Sequence, residues 1–462
     1  MKRIFLYVLL ATALSGAVWA SVNDGIALYK KGNTAGAIAE IKKVIAENPS
    51  NGDAHRWLGF LLLKSDPAAA KTELRKALEL GCDGADLRNN LATACIATKD
   101  YDEAITELNT SLGMEPQRAD TLYNLGVAYT NSGKIDEAIA TYRRAETVSP
   151  KNADIKNNLG LVLLKKGDTA GAVSSFKAAK ALSSKDAAMS ANLGKALLAA
   201  GKPAEAVTEL KYARTLAPND YGIASSLANA FYATGNIGDA ANMYRKASEI
   251  KPGEFDPKFN LGVILMTKGN YEGAAKSFNE ALAIDPKDPE ALEYAGSCEY
   301  LMGSKQAAIK HLSAAGTINA KVRLAEVYAS MGRTDEAEKL WSEAAESNPE
   351  ILSPHIALGN MKVTSDPAKA IEHYDNALKA DPKSDLAYFG KGLAYSNLNK
   401  HDESIAAYKK AVELNPKNAA AYNNLGAETE RKGNTAQAKT YYKAALDADP
   451  DNEDAKANYN RL

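Results

Sequence analysis

Between residues 119 and 150 the apolar and small positions fall into two helical stripes separated by a turn. Leu122, Leu125, Gly126 and Tyr129 stand at i, i+3, i+4 and i+7, on one face of a first helix. Ala138, Tyr142 and Ala145 stand at i, i+4 and i+7 on a second. Gly133 lies between them, where a residue tolerant of positive φ ends a helix cheaply, and Pro150 stops the second. The spacing predicts a helical hairpin in which Gly126, Ala138 and Ala145 let the two axes approach closely. Enlarging one of them is expected to overpack the contact by about 1–3 kcal/mol.

The same pattern returns along the chain. Asn124-Leu125-Gly126 recurs as Asn158-Leu159-Gly160, Asn192-Leu193-Gly194, Asn260-Leu261-Gly262 and Asn424-Leu425-Gly426, with 34 residues from Leu125 to Leu159 and again to Leu193. Turn glycines follow at Gly133, Gly167, Gly201, Gly269 and Gly433. Thirteen units are predicted, starting at residues 18, 52, 85, 119, 153, 187, 221, 255, 289, 318, 352, 385 and 419, with a capping segment from Glu453 to Leu462.

This motif resembles the tetratricopeptide repeat family over nearly all of the chain. The resemblance implies an all-α fold: a right-handed α-solenoid superhelix of about thirteen helix–turn–helix units, closed by a C-terminal capping helix. First helices would line an inner groove. Units two and eleven are each one residue short and carry Ser65-Asp66-Pro67 and Ser365-Asp366-Pro367, residues suited to capping and opening a helix. The ninth unit lacks five residues, with Gly316-Thr317 in place of a helix end and its proline. Either a hinge between units 1–9 (21–317) and units 10–13 (318–452) or a shortened loop accounts for that gap.

Composition narrows the setting. At 462 residues the chain exceeds the ~250–300 residues at which a single core stops growing, which agrees with an array. Lys2 and Arg3, the apolar run Ile4–Val18 and the small residues before Ser21 predict a secretory signal over 1–20, cleaved after Ala20. A soluble periplasmic or secreted protein of a bacterium is the expectation. Lys and Arg number 56 against 57 Asp and Glu; removing Lys2 and Arg3 leaves 54 against 57, a charge of −3 with no basic stripe for nucleic acid. Cys82, Cys95 and Cys298 are expected as free thiols, since about ten helical residues put the first two roughly 15 Å apart.

No catalytic, cofactor or metal motif is present. His55, His311, His355, His373 and His401 lack metal-ligand spacing, and neither HExxH nor CxxC occurs. Function is therefore placed on the first helices. Position six of units three to eight reads Asn90, Asn124, Asn158, Asn192, Ser226 and Asn260. The row resembles the asparagine ladder of O-GlcNAc transferase, which implies a grip on an extended peptide backbone; an amide both donates and accepts. Asparagine at this position is also common in the family without a ligand. The acids at position two, Asp86, Asp120, Asp154, Asp256 and Glu290, are either a negative flank or helix-end charge compensation. They replace the basic clamp of chaperone-tail adaptors, so that activity is not expected. Tyr294, Tyr300 and Arg323 form a candidate second patch. The expected role is a non-enzymatic scaffold for protein partners or extended peptides, in an envelope assembly or in secretion or exopolysaccharide export. A structural spacer with an empty groove and a regulatory arm acting in trans are the alternatives.

Overall fold

The computed structural model describes residues 21–462, so the predicted signal and the first residues of the first repeat lie outside the described part. Among the described residues every regular element is an α-helix. The helices, numbered α1 to α27 in chain order, run from α1 (Val22–Lys30) to α27 (Glu453–Arg461). Odd-numbered helices open each hairpin, even-numbered ones close it, and α27 stands alone after thirteen hairpins. First helices begin at Gly52, Ala85, Ala119, Ala153, Ala187 and Tyr221, and further on at Pro289, Ile318, Leu352, Asp385 and Ala419, where the repeats were predicted to start. The eighth begins at Asp256, one residue late.

Local chemistry sets these limits. Side chains of Asn33, Asn51, Asp66, Asn152, Asp168 and Asp220 accept from amides two or three residues on, satisfying donors at helix starts. At the turn between helices Gly133 has φ +79°. The same site is held by Lys99 (φ +65°) in repeat three and Asn399 (φ +54°) in repeat twelve. A left-handed lysine costs roughly 1–2 kcal/mol, which packing around it must offset.

The chain divides into two compact bodies, residues up to Met243 and residues from Tyr244 on. In the first, each second helix that lies wholly within it buries one large side chain under its own first helix: Ile41, Leu74, Leu108, Tyr142, Phe176 and Leu210, each no more than 1% exposed. Full burial of such a side chain is worth about 1.5–3 kcal/mol. Glycine stands opposite Leu74, Tyr142, Phe176 and Leu210, while repeat three has Ala92 at that position. A Cβ on Gly126 would stand 2.5 Å from Tyr142 Cε1, so any larger residue must displace that ring. In the second body Phe278, Leu312, Trp341, Tyr374, Tyr408 and Tyr442 play the same part.

The short ninth repeat lies within the second body. Its second helix, α18 (Lys305–Ala315), has 11 residues where α8 (Ile135–Val148) has 14, and two residues connect it onward where four follow α8. Three of the missing residues thus come from the helix and two from the connection. Gly316 turns at φ +66°, and Thr317 caps α19 (Ile318–Ser330) through a 3.0 Å bond from the Ala320 amide. Ala308 and Leu312 share one apolar cluster with Ala320, Leu324 and Val327, so core continues through the shortened junction. The division between bodies falls at 243/244, within α14 (Ile237–Ile250).

Candidate functional site

In repeats three to six the first helices are α5 (Ala85–Ala97), α7 (Ala119–Asn131), α9 (Ala153–Lys166) and α11 (Ala187–Ala199). Positions seven and eight are buried on each, as periodicity predicts. Two further positions are buried that the stripe left out. Position three holds Leu87, Thr121, Ile155 and Met189, and position ten holds Ala94, Ala128, Val162 and Ala196. One of them, Thr121, meets the preceding hairpin, its hydroxyl 3.5 Å from Ser111 Oγ.

Position six adjoins this broader stripe. Asn90, Asn124, Asn158, Asn192 and Ser226 are all half-buried. Three of the amides reach back by 35 residues into the preceding repeat. Asn124 Nδ2 donates to Asn89 Oδ1 at 3.0 Å and to Thr93 Oγ1 at 3.3 Å. Asn158 Nδ2 donates to the Tyr123 hydroxyl at 2.9 Å, and Asn192 Nδ2 to Asn157 Oδ1 at 2.9 Å. Asn89, Tyr123 and Asn157 all stand at position five. Position six of one repeat is therefore stitched to position five of the one before. Ala191 occupies position five ahead of Ser226 and has no side-chain acceptor to offer it.

These bonds divide each amide's capacity. An asparagine has two N–H donors and an oxygen with two lone pairs. Asn124 spends both donors on repeat three and keeps Oδ1, while Asn158 and Asn192 each commit their nitrogen once. Beside this row Leu161, at position nine, is 42% exposed.

The acids at position two are exposed. All five lie in the first turn of their helices, where negative charge complements the helix dipole. Two of them are also joined across repeats. The Arg118 guanidinium pairs with Asp86 and donates to Asp120 Oδ1 at 2.9 Å. Desolvation raises the Asp120 carboxyl, but Arg118 and the Thr121 amide outweigh it and hold the group below its ordinary value.

In the second body Asn260 is half-buried on α15 (Asp256–Thr267). Tyr294, on α17 (Pro289–Leu301), stacks on Phe278 with ring centroids 5.5 Å apart and lies 5.8 Å from Phe259. Tyr300 packs with the next cluster, against Ala308 and Leu312. Arg323 is exposed and donates to Glu326 on its own helix at 2.9 Å. The candidate second patch thus resolves into two packing tyrosines and a surface arginine, and among the described residues no ring contact or hydrogen bond joins the three.

Chemistry elsewhere is sparse. Cys82, Cys95 and Cys298 are free thiols, and burial pushes Cys95 up to about 12 and Cys298 up to about 11, values that suppress thiolate reactivity. Among the described residues no group of three or more His, Cys, Asp or Glu could hold a metal ion. Buried Glu428 accepts from Ser396 Oγ at 2.6 Å and pairs with His401 Nδ1 at 2.7 Å. The serine binds the carboxylate and not the imidazole, which is not the order a nucleophile–base relay needs. A cavity of about 640 Å³ lies between the second helices α12 (Pro203–Leu216) and α14 (Ile237–Ile250) over Phe231 of α13 (Tyr221–Ala233), not along the asparagine row.

A hairpin array with a polar seam along its first helices defines a repeat scaffold. Family models for the tetratricopeptide repeat match residues 23–65, 61–119, 158–221, 191–255, 225–289 and 259–319, and others match 386–418 and 407–440; a TPR repeat model matches 128–167. The chain belongs to the tetratricopeptide repeat family, whose folds mediate protein–protein interactions. Residues 320–385 lie between the matched segments and still form helices of the same hairpin pattern. Anaphase-promoting complex subunit 3 of Schizosaccharomyces pombe is 36% identical over 88 residues, 19% of this chain and 13% of that protein's length. Among solved structures, the hetero-tetramer Cut9–Hcn1 aligns at 17% identity over 95% of this chain and 94% of that one, with a TM-score of 0.41. A C-terminal part of a TPR repeat-containing protein from Cytophaga hutchinsonii aligns at 18% identity over 52% and 98%, TM-score 0.44. The Pseudomonas aeruginosa protein pilF aligns at 20% identity over 44% and 92%, TM-score 0.38.

Proposed function

We propose that this protein is a non-enzymatic scaffold which receives an extended peptide or a partner's extended segment along the first helices of repeats three to seven. The proposal places it in a bacterial envelope, exported by a signal cleaved after Ala20, as a subunit of a secretion, export or assembly complex. The observation carrying the reading is the half-buried row Asn90, Asn124, Asn158, Asn192 and Ser226, one polar rung per repeat beside exposed Leu161. Neighbouring helices stand about 8–10 Å apart and an extended chain rises about 3.3 Å per residue, so a rung would meet roughly every third ligand residue.

The test uses a photo-crosslinking residue at Leu161 in envelope-expressed protein, with and without Asn124→Ala, Asn158→Ala and Asn192→Ala together. Loss of crosslinked partner at unchanged folded content supports the reading, and equal crosslinking by the triple variant removes it. One observation favours a spacer instead. Asn458 on α27 donates to Asn423 Oδ1 at 3.0 Å, again 35 residues back, the same stitch made outside the asparagine row. There the amide serves stacking, and assembly that survives the triple substitution would select that role.

A further inference from the structure

Three of the five histidines are closed by a carboxylate on Nδ1: His55 by Glu73 at 2.5 Å, His311 by Glu299 at 2.8 Å and His401 by Glu428 at 2.7 Å. The other two, His355 and His373, share repeat eleven. That repeat and repeat two are the 33-residue ones, which makes them comparable residue by residue. His55 and His355 occupy the same position, and each turns Nε2 onto the carbonyl of the proline six residues before it, Pro49 at 3.0 Å and Pro349 at 3.2 Å. Eighteen residues after the first stands Glu73; eighteen after the second stands His373.

This single difference leaves repeat eleven short of one hydrogen bond. A carbonyl only accepts, so His355 Nε2 carries the ring proton and Nδ1 presents a bare lone pair. His355 is 5% exposed, and its Nδ1 has no partner. It lines, with His373, a cavity of about 700 Å³ between α20 (Thr334–Ser347), α21 (Leu352–Lys362) and α22 (Pro367–Ala380). Glu338 and Glu346 face that cavity from α20, Glu350 from the connection, and Lys369 and Lys379 from α22, where Glu372 also lies near His373. Glu338 is already paired with Lys362 at 2.8 Å. No third metal-ligating group completes the two imidazoles among the described residues.

We propose that the His355–His373 pair makes the packing of repeat eleven against repeat ten an acid-sensitive joint, which loosens when the two imidazoles take up protons while the His55–Glu73 joint of repeat two stays closed. A proton on His355 Nδ1 finds no acceptor, and a second on His373 sets two like charges on one cavity wall. Burial holds both imidazoles below their ordinary value, and for His373 the neighbouring His355 and Lys369 add to it. The unfolded chain therefore binds protons that the closed joint excludes. The joint's contribution is fully present above the ordinary imidazole value of about 6.5 and declines as pH falls through it, by up to about tenfold in the opening equilibrium per pH unit for each proton.

Hydrogen exchange of the full chain at pH 7.5 and 5.5, corrected for intrinsic rates, tests this. The amides of α21 and α22 should lose at least about tenfold protection relative to those of α3 (Gly52–Leu62) and α4 (Pro67–Glu79). His373→Glu, which writes repeat two's pairing into repeat eleven, should abolish the difference, and Glu73→His should transplant it to repeat two. Equal protection of α21–α22 at both pH values, or an unchanged loss in His373→Glu, overturns the proposal. Should that variant not fold, NMR titration of the wild-type imidazoles decides: protonation of either His355 or His373 at or above pH ~6.5 overturns it as well.

Discussion

Position six of the first helix does different work in repeats three to six and in repeats nine to twelve. In the earlier group it is asparagine in all four repeats, and Asn124, Asn158 and Asn192 hydrogen-bond to the repeat before. In the later group the residues are Tyr294, Arg323, Ala357 and Gly390. Tyr294 makes the backward contact with its ring, stacked on Phe278 of α16 (Tyr271–Leu282). Gly390 makes it by leaving room: a Cβ there would come within 2.4 Å of Tyr374, a ring already fully buried beneath Gly359. At this register position amides close the seam at Asn124, Asn158 and Asn192 and a buried ring is met at Tyr294 and Gly390, whereas Arg323 stays exposed and bonds within its own helix. Where an amide makes the contact it still keeps polar capacity for a ligand, as Asn124 does with Oδ1.

The comparison can be broken most forcefully at a ring. Phe278→Ala removes a wholly buried side chain that Tyr294 stacks on, and should cost about 3–5 kcal/mol in denaturant unfolding of the second body. A cost no larger than that of one seam amide would mean the ring contacts do not close that region. Next comes Gly390→Asn, which imports the earlier region's residue into repeat twelve. Tyr374 has Gly359 on its other side and cannot withdraw, so overpacking of about 1–3 kcal/mol is expected, read as a lower unfolding midpoint. A neutral outcome would show that repeat twelve accepts an amide seam after all. The smallest effect belongs to Asn158→Ala, about 1 kcal/mol for one half-buried hydrogen bond. A double-mutant cycle with Tyr123→Phe should recover most of that as coupling; independent, additive losses would show that the 2.9 Å bond contributes nothing to stacking.

Much of this was legible in the residues. The Leu122–Leu125–Gly126 stripe and Pro150 fix where helices begin and end, because those preferences act within one turn of chain. The buried positions three and ten were missed, since Thr121 or Ala128 becomes interior only when a second hairpin is laid against the first. Likewise Tyr294 and Tyr300 read as interface anchors from their type, and the fold gives each to a different packing cluster. Nothing in local sequence marks His373 as the neighbour of His355, eighteen residues away on another helix.

By itself the sequence determined the number of hairpins, their phase and their glycine contacts, all consequences of a 34-residue period written in side-chain size and helix-ending residues. The tertiary structure decided what faces what between hairpins: which amides spend their donors on a neighbour, which ring needs a glycine, and which imidazole is left without a partner. Such pairings depend on the offset at which one hairpin settles on the next, a property of packed surfaces that no single helix encodes.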